Sequence, residues 1–290
     1  MTLRGLAVMI RLASVTYEGR PSLTILGGDG RLRLLRARDG TTLSPALLAD
    51  EGEGALKMIE GAEVGEAVGD LNKPLNPPVP RPSKIIGVGM NFEGHAREMK
   101  SVARPVYFMK APSALTGHLN PIELPPYVAR PDYEGEVVIV IGRPVKGVSL
   151  REARNAIIGF MAGNDVTARE LQYDECMPWC LSKSLDTFSP TGPYLVIIDG
   201  YEQLEGLCLE TYLNGERVQM GCASEMSMSY AEIVANLSRY MKLFPGDLIF
   251  TGTPPGVGHA RGRYLRDGDV IEVKISSEHP LVNPVKRAQA

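Results

Sequence analysis

Two glutamates stand two residues apart at the head of an apolar run, in Pro131-Asp132-Tyr133-Glu134-Gly135-Glu136-Val137-Val138-Ile139-Val140-Ile141. An aspartate, Asp165, follows in Gly163-Asn164-Asp165-Val166-Thr167, far enough on for one helical crossover. Residues two apart on a strand point to the same face, so Glu134 and Glu136 project side by side. The unbroken apolar run after them reads as a strand buried on both faces. Carboxylates crowded at the end of such a strand repel one another unless positive charge lies between them. A divalent cation answers that problem. All-oxygen ligands point to a hard ion, Mg²⁺ first, with Mn²⁺ or Ca²⁺ as alternatives. The competing reading is a solvated E-x-E on an edge strand, and the flanking apolar run argues against it.

The elements that must hold these acids are strand-rich. A first strand starts near Met9 and runs through Val15. Gly27-Gly28-Asp29-Gly30 is a hairpin signal between Leu23–Leu26 and Leu32–Leu35. A modest helix is expected from Pro45 to Ala67, broken by Gly52 and Gly54. Five prolines between Leu71 and Pro82 exclude a helix or a central strand there. The expected division is therefore a small β-rich unit at 1–70, a Pro-rich linker at 71–83 and a main domain at 84–290. Within the main domain, strands are expected at 84–89, 106–110, 194–198, 207–213, 247–250 and 270–275. Helical patterning covers 91–102, 149–157 and 230–243. Ser149 and Glu152 have capping-box spacing. Asn214-Gly215 marks a tight hairpin turn. Ile233, Leu237, Tyr240 and Met241 form one apolar helix face. The order is mixed β with inserted helices, an α+β class rather than a doubly wound one.

Composition narrows the function classes. The chain has 290 residues, 44% hydrophobic and 22% charged, with 31 Gly and 22 Pro that favour turns and strands. A net charge of −3 gives no electrostatic reason for nucleic acid, and no apolar stretch is long enough to span a bilayer. Residues 1–17 carry Arg4 and Arg11 and no acid before Tyr17, a weak transit-peptide hint, but Arg11 interrupts the apolar part and a first strand is the better reading. Cys176, Cys180, Cys208 and Cys222 show no paired C-x-x-C spacing, so all four are expected as reduced thiols of a cytoplasmic protein without zinc.

An ordered set of motifs then comes into view. It comprises Gly89-Met90-Asn91-Phe92 with His95 and Glu98; Phe108-Met109-Lys110 with Pro112-Ser113; Asp132-Tyr133-Glu134-Gly135-Glu136; Gly163-Asn164-Asp165-Val166-Thr167-Ala168-Arg169 with Gln172; Lys183-Ser184-Leu185-Asp186-Thr187-Phe188; and Pro245-Gly246-Asp247-Leu248-Ile249-Phe250-Thr251-Gly252-Thr253-Pro254 with Gly256-Val257-Gly258. From about Lys84 to Val273 this resembles the fumarylacetoacetate hydrolase family. The resemblance implies a mixed β-sandwich or β-roll catalytic domain behind a small N-terminal β domain, in a homodimer. It implies Glu134, Glu136 and Asp165 as metal ligands, and a small 2-oxo or β-diketo acid as substrate. It also makes the His95 segment resemble a lid, with Gly87, Gly89 and Gly94 permitting movement.

His95 and Glu98 share a helix face, so Glu98 would orient the imidazole and leave its other nitrogen to activate water. Lys183 is expected to stabilise developing enolate charge. By resemblance, Thr253 binds a substrate carboxylate, and Arg169, Gln172 and Lys110 reach the same pocket. Met90 stands where some members carry a substrate-binding arginine, and the ending Ser276–Pro284 is less glycine-rich than usual. The leading expectation is metal-dependent C–C hydrolysis of an acylpyruvate-type acid. The alternative is decarboxylation or keto–enol isomerisation on the same site. A non-catalytic binding protein is disfavoured by the intact set of chemical residues.

Overall fold

The computed structural model describes residues 9–102, 104–173 and 178–288. Its backbone is organised by a large mixed sheet with the spatial order Glu63–Asp70, Arg31–Arg36, Arg20–Leu26, Arg11–Tyr17, Ser189–Ile197, Ile157–Asn164, Gly135–Ile141, Leu248–Phe250, Ile85–Gly89, Val106–Lys110. A short strand, Leu115–Thr116, pairs beside Ser189–Ile197. A second sheet runs Glu216–Cys222, Cys208–Leu213, Val270–Ile275, Leu281–Arg287, Ile122–Leu124. The N-terminal strands are hydrogen-bonded into the large sheet, because Arg11 pairs with Val196 and Leu12 with Leu195.

The apolar run after the glutamates is buried on both faces, as its composition requires. Val137, Ile139 and Ile141 join a core with Leu209, Val273, Ile275 and the Tyr230–Tyr240 helix. Val138 and Val140 face the opposite core, with Leu12, Leu23, Leu195, Leu248 and Phe250. A charged side chain at any of these positions would be stranded in hydrocarbon.

Local signals held where their partners are near in sequence. Ser149 accepts from the Glu152 backbone while Glu152 accepts from Ser149, so the Leu150–Ala156 helix starts at a full capping box. Asn214 and Gly215 both have positive φ (53° and 79°), the geometry a tight hairpin turn demands. Other expectations are corrected. The segment expected as helix to Ala67 ends at Glu60, and Glu63–Asp70 is a strand on Arg31–Arg36. That tertiary pairing overrides its weak helical pattern. The helix expected over 91–102 is only Glu93–Glu98. Tyr240 is exposed, and Tyr230 and Val234 complete the buried face instead. Ile157–Asn164 and Leu281–Arg287 are further strands that the sequence pattern does not mark.

The reading of four reduced thiols is also corrected: Cys208 and Cys222 are joined by a disulfide. They are paired neighbours on the two arms of the Asn214-Gly215 hairpin, so the relevant spacing is that of a hairpin rather than a metal knuckle. Cys180 is a free, exposed thiol, and Cys176 lies outside the described residues, as does Arg4. Among the described residues no helix is long and apolar enough to cross a membrane.

Candidate active site

One antiparallel register assembles the acids. Gly135 pairs with Asn164 and Glu136 with Gly163, and the ladder continues outward to Asp132 opposite Thr167. Glu134 and Asp165 therefore face each other, tied by Asp165 N–H to the Glu134 carbonyl (2.8 Å) and Glu134 N–H to Asn164 Oδ1 (2.9 Å). Glu134, Glu136 and Asp165 are all buried, and each offers a carboxylate oxygen within 4.8 Å of the others.

Three buried cations face them. Lys183 Nζ donates to Glu134 Oε2 (2.7 Å), Asp165 Oδ2 (2.7 Å) and Thr167 Oγ1 (2.8 Å). Lys110 Nζ donates to Asp165 Oδ1 and to the Phe188 carbonyl. Arg169 spans Asp132 Oδ2 (2.8 Å), Glu134 Oε1 (2.6 Å) and Gln172 Oε1 (2.7 Å). Among these groups Glu136 has no cationic partner and accepts a backbone N–H from Gly252 at 2.7 Å. Gly252 can do this because it has φ +104°, and a Cβ there would lie 2.8 Å from Asn91 Cβ.

The electrostatics follow this geometry. Burial opposes the Glu134 carboxylate, but Lys183 and Arg169 outweigh it and hold its pKa below the usual range. Burial, then repulsion from Asp165 and Glu134, pushes Glu136 well above it. Burial lowers Lys110, partly countered by Asp165. Burial also opposes Lys183, but Asp165 and Glu134 overcome it and keep it protonated. A divalent ion fits this donor set. It would relieve the repulsion on Glu136, and the oxygens of Glu134 and Asp165 that already accept N–H donors keep second lone pairs for it.

Beside the cluster lies a cavity of about 200 Å³, lined by Gly89, Met90, His95, Met99, Ser101, Glu134, Arg169, Gln172, Tyr173, Trp179 and Lys183. His95 Nδ1 is 3.4 Å from Glu98 Oε2, which leaves Nε2 as the nitrogen available to a ligand. Glu98 is itself held by the Gly256 N–H (3.0 and 3.1 Å). Burial opposes its charge, but His95 and the Gly256 N–H win and lower its pKa. The short His95 helix is anchored through Asn91, which is fully buried and bonds the Thr251 carbonyl and both backbone groups of Met228.

Of the residues singled out from sequence, His95, Glu134, Arg169, Gln172 and Lys183 meet at this cavity. Lys110 is turned to Asp165 as a counter-charge. Thr253 is buried, donating to the Gly135 carbonyl (2.9 Å) and accepting from Gln219 (2.8 Å), and it does not line the cavity. No spacing marks Asp132 or Thr167, yet Asp132 fixes Arg169 and accepts the Gly258 and His259 N–H, and Thr167 accepts from Lys183. Trp179 packs edge-on to Phe108, whose ring lies 5.0 Å from Lys183 Nζ. No sequence spacing pointed to that wall.

Residues 84–286 match the family model described as fumarylacetoacetate (FAA) hydrolase C-terminal. The chain belongs to the fumarylacetoacetate hydrolase family. It is 40% identical over 219 residues to oxaloacetate tautomerase YisK of Bacillus subtilis, covering 73% of this chain and 72% of that one. It is 35% identical over 264 residues to 2,4-didehydro-3-deoxy-L-rhamnonate hydrolase of a Sphingomonas species, covering 89% and 90%. A solved structure of 5-carboxymethyl-2-hydroxymuconate delta-isomerase from Mycobacterium smegmatis superposes with a TM-score of 0.76 at 31% identity, covering 97% of this chain and 100% of that one. This member is an enzyme of a superfamily whose relatives are tautomerases, isomerases and hydrolases.

Proposed function

We propose that the protein catalyses keto–enol exchange at C3 of a small 2-oxo dicarboxylic acid of the oxaloacetate type, with a divalent cation, Mg²⁺ or Mn²⁺, held by Glu134, Glu136 and Asp165. The observation that carries this reading is that His95, paired with Glu98 through Nδ1, opens on the same small cavity as Glu134, Arg169 and Lys183 of the buried charge cluster. When bound, the cation supplies Lewis-acid polarisation of the substrate's 2-oxo group. The protein's own charges prepare for an anion. Asp132, Glu134, Glu136 and Asp165 outnumber Lys110, Arg169 and Lys183 by one. Adding a divalent ion reverses that to one net positive charge, which a carboxylate head group neutralises.

His95 Nε2 removes the C3 proton and delivers it to the 2-oxygen of the resulting enolate, the reverse transfer restoring the keto form, while Glu98 holds Nδ1–H and supports the imidazolium that forms. Lys183 stays protonated and adds positive charge beside the developing enolate rather than acting as base. Arg169 and Gln172, on the cavity wall, orient the second carboxylate. The cavity is below the roughly 300 Å³ at which drug-sized sites begin, which favours a short acid.

A second reading, hydrolysis of the C–C bond of an acylpyruvate, is supported by Glu98 lining an adjoining cavity through which water can reach the dyad. The near full-length similarity to the Sphingomonas hydrolase supports it too. Decarboxylation of a β-oxo acid would use the same charge cluster. The deciding experiment measures oxaloacetate enol decay and acetylpyruvate cleavage with and without Mg²⁺ or Mn²⁺, with products weighed by mass spectrometry. A mass-neutral, cation-dependent rate supports tautomerisation; pyruvate release from acetylpyruvate transfers the assignment to hydrolysis; CO₂ release transfers it to decarboxylation. His95→Ala should lower kcat by about 10²–10⁴-fold. Full activity without His95 would end the acid–base scheme. We propose further that 84–290 is the catalytic unit, that 1–70, whose strands extend its large sheet, is an accessory β-rich part connected through 71–83, and that the working form is a cytoplasmic homodimer; light scattering and cell fractionation test the last.

A further inference from the structure

A second cavity, of about 470 Å³, is lined by Glu98, Met99, Lys100, Tyr173, His259 and Ala260. Met99 and Tyr173 also line the first cavity, so the two adjoin across those side chains. Resting on the 2-oxo acid reading above, we propose that His259 and Lys100 form a distal subsite that holds the remote carboxylate of a longer 2-oxo dicarboxylic acid.

His259 is fixed for this task. Its backbone N–H donates to Asp132 Oδ2 (3.0 Å), the same carboxylate oxygen that receives Arg169, so the residue is tied to the charge cluster. Its Nδ1 lies 2.9 Å from the Tyr264 hydroxyl, and its ring packs at 5.1 Å against Tyr173. In the tautomer in which the Tyr264 hydroxyl donates to Nδ1, the imidazole carries its proton on Nε2 as a donor for a carboxylate. Lys100 follows the His95 helix in a left-handed turn (φ +53°) and brings the cation of the cavity wall. Among the described residues Glu98 is the one acid in that wall, and its oxygens are occupied by His95 and the Gly256 N–H. The 200 Å³ cavity takes the 2-oxo acid head, and the chain of a longer acid passes Met99 and Tyr173 to reach His259 and Lys100.

The test follows solvent-deuterium exchange at C3 of oxaloacetate and of 2-oxoadipate in Mg²⁺, for wild type, His259→Ala and Lys100→Ala. Lys100 is exposed, so its variant stays interpretable if His259→Ala folds poorly. The ratio of KM for 2-oxoadipate to KM for oxaloacetate should rise about tenfold, with kcat for the longer acid held. An unchanged ratio in Lys100→Ala, with oxaloacetate still exchanged, overturns the subsite alone. Failure of the wild type to exchange either acid overturns the parent reading and the subsite with it.

Discussion

Glu136→Gln separates cation binding from the folding of the acidic cluster. Glu136 is a buried carboxylate whose one donor among the described residues is the Gly252 N–H, and it faces two other acids. Gln keeps a carbonyl oxygen for Gly252 and has almost the same volume, but it removes the charge that a divalent ion needs. In wild type, Mg²⁺ at about one hundred times its Kd should add about 2.7 kcal/mol. For a chain of this size that is a Tm rise of about 5 °C. The variant should show little of that rise. With chelator at neutral pH, however, it should melt at or above wild type, because burial and like charge oppose ionised Glu136. Differential scanning fluorimetry with EDTA, Mg²⁺ and Mn²⁺ reads both effects. An equal Mg²⁺ gain in wild type and variant would refute the ligand assignment. A clearly lower melting point for the chelated variant would refute the charge reasoning.

Other expectations concern pH, backbone and the disulfide. His118 is buried between the Leu71 carbonyl (2.9 Å from Nε2) and the Val282 N–H (3.1 Å from Nδ1), an arrangement that only the neutral ring satisfies. Burial lowers its pKa from 6.5 to about 4, so the unfolded chain binds the extra proton first and stability falls as pH drops from 6.5 towards 4. The loss should approach about 3 kcal/mol, and urea midpoints at pH 7 and 4.5 should differ less in His118→Asn than in wild type. Gly252→Ala should cost about 1–3 kcal/mol and weaken Mg²⁺ binding, read by calorimetry; unchanged affinity would detach the Gly252 N–H from the site. Reducing Cys208–Cys222 opens a 14-residue separation and should cost about 3 kcal/mol, seen as a lower Tm in dithiothreitol and absent in the Cys222→Ser variant.

Much of the site was legible because its signals are local. A two-residue period placed Glu134 beside Glu136, and a three-residue helical spacing placed His95 beside Glu98. The unbroken apolar run from Val137 to Ile141 announced burial on both faces, since no solvent-exposed strand tolerates it. The Ser149 capping box and the Asn214-Gly215 turn were readable for the same reason: each is complete within a few residues.

What tertiary structure decided is where distant charges go. Nothing in the spacing of Lys110, Arg169 and Lys183 says that each ends on a different set of acceptors, or that Glu136 is left with a backbone amide in place of a cation. Thr253 and Lys110 carry the right chemistry for substrate, yet packing spends the first on Gly135 and Gln219 and the second on Asp165. The Glu63–Asp70 segment became a strand because an edge was waiting for it, and Cys208 met Cys222 because a hairpin register set them opposite. Composition and period determine which faces are apolar and which groups must share a face. Only the closed chain determines which buried charge finds which partner, because that energy depends on distances between residues far apart in sequence.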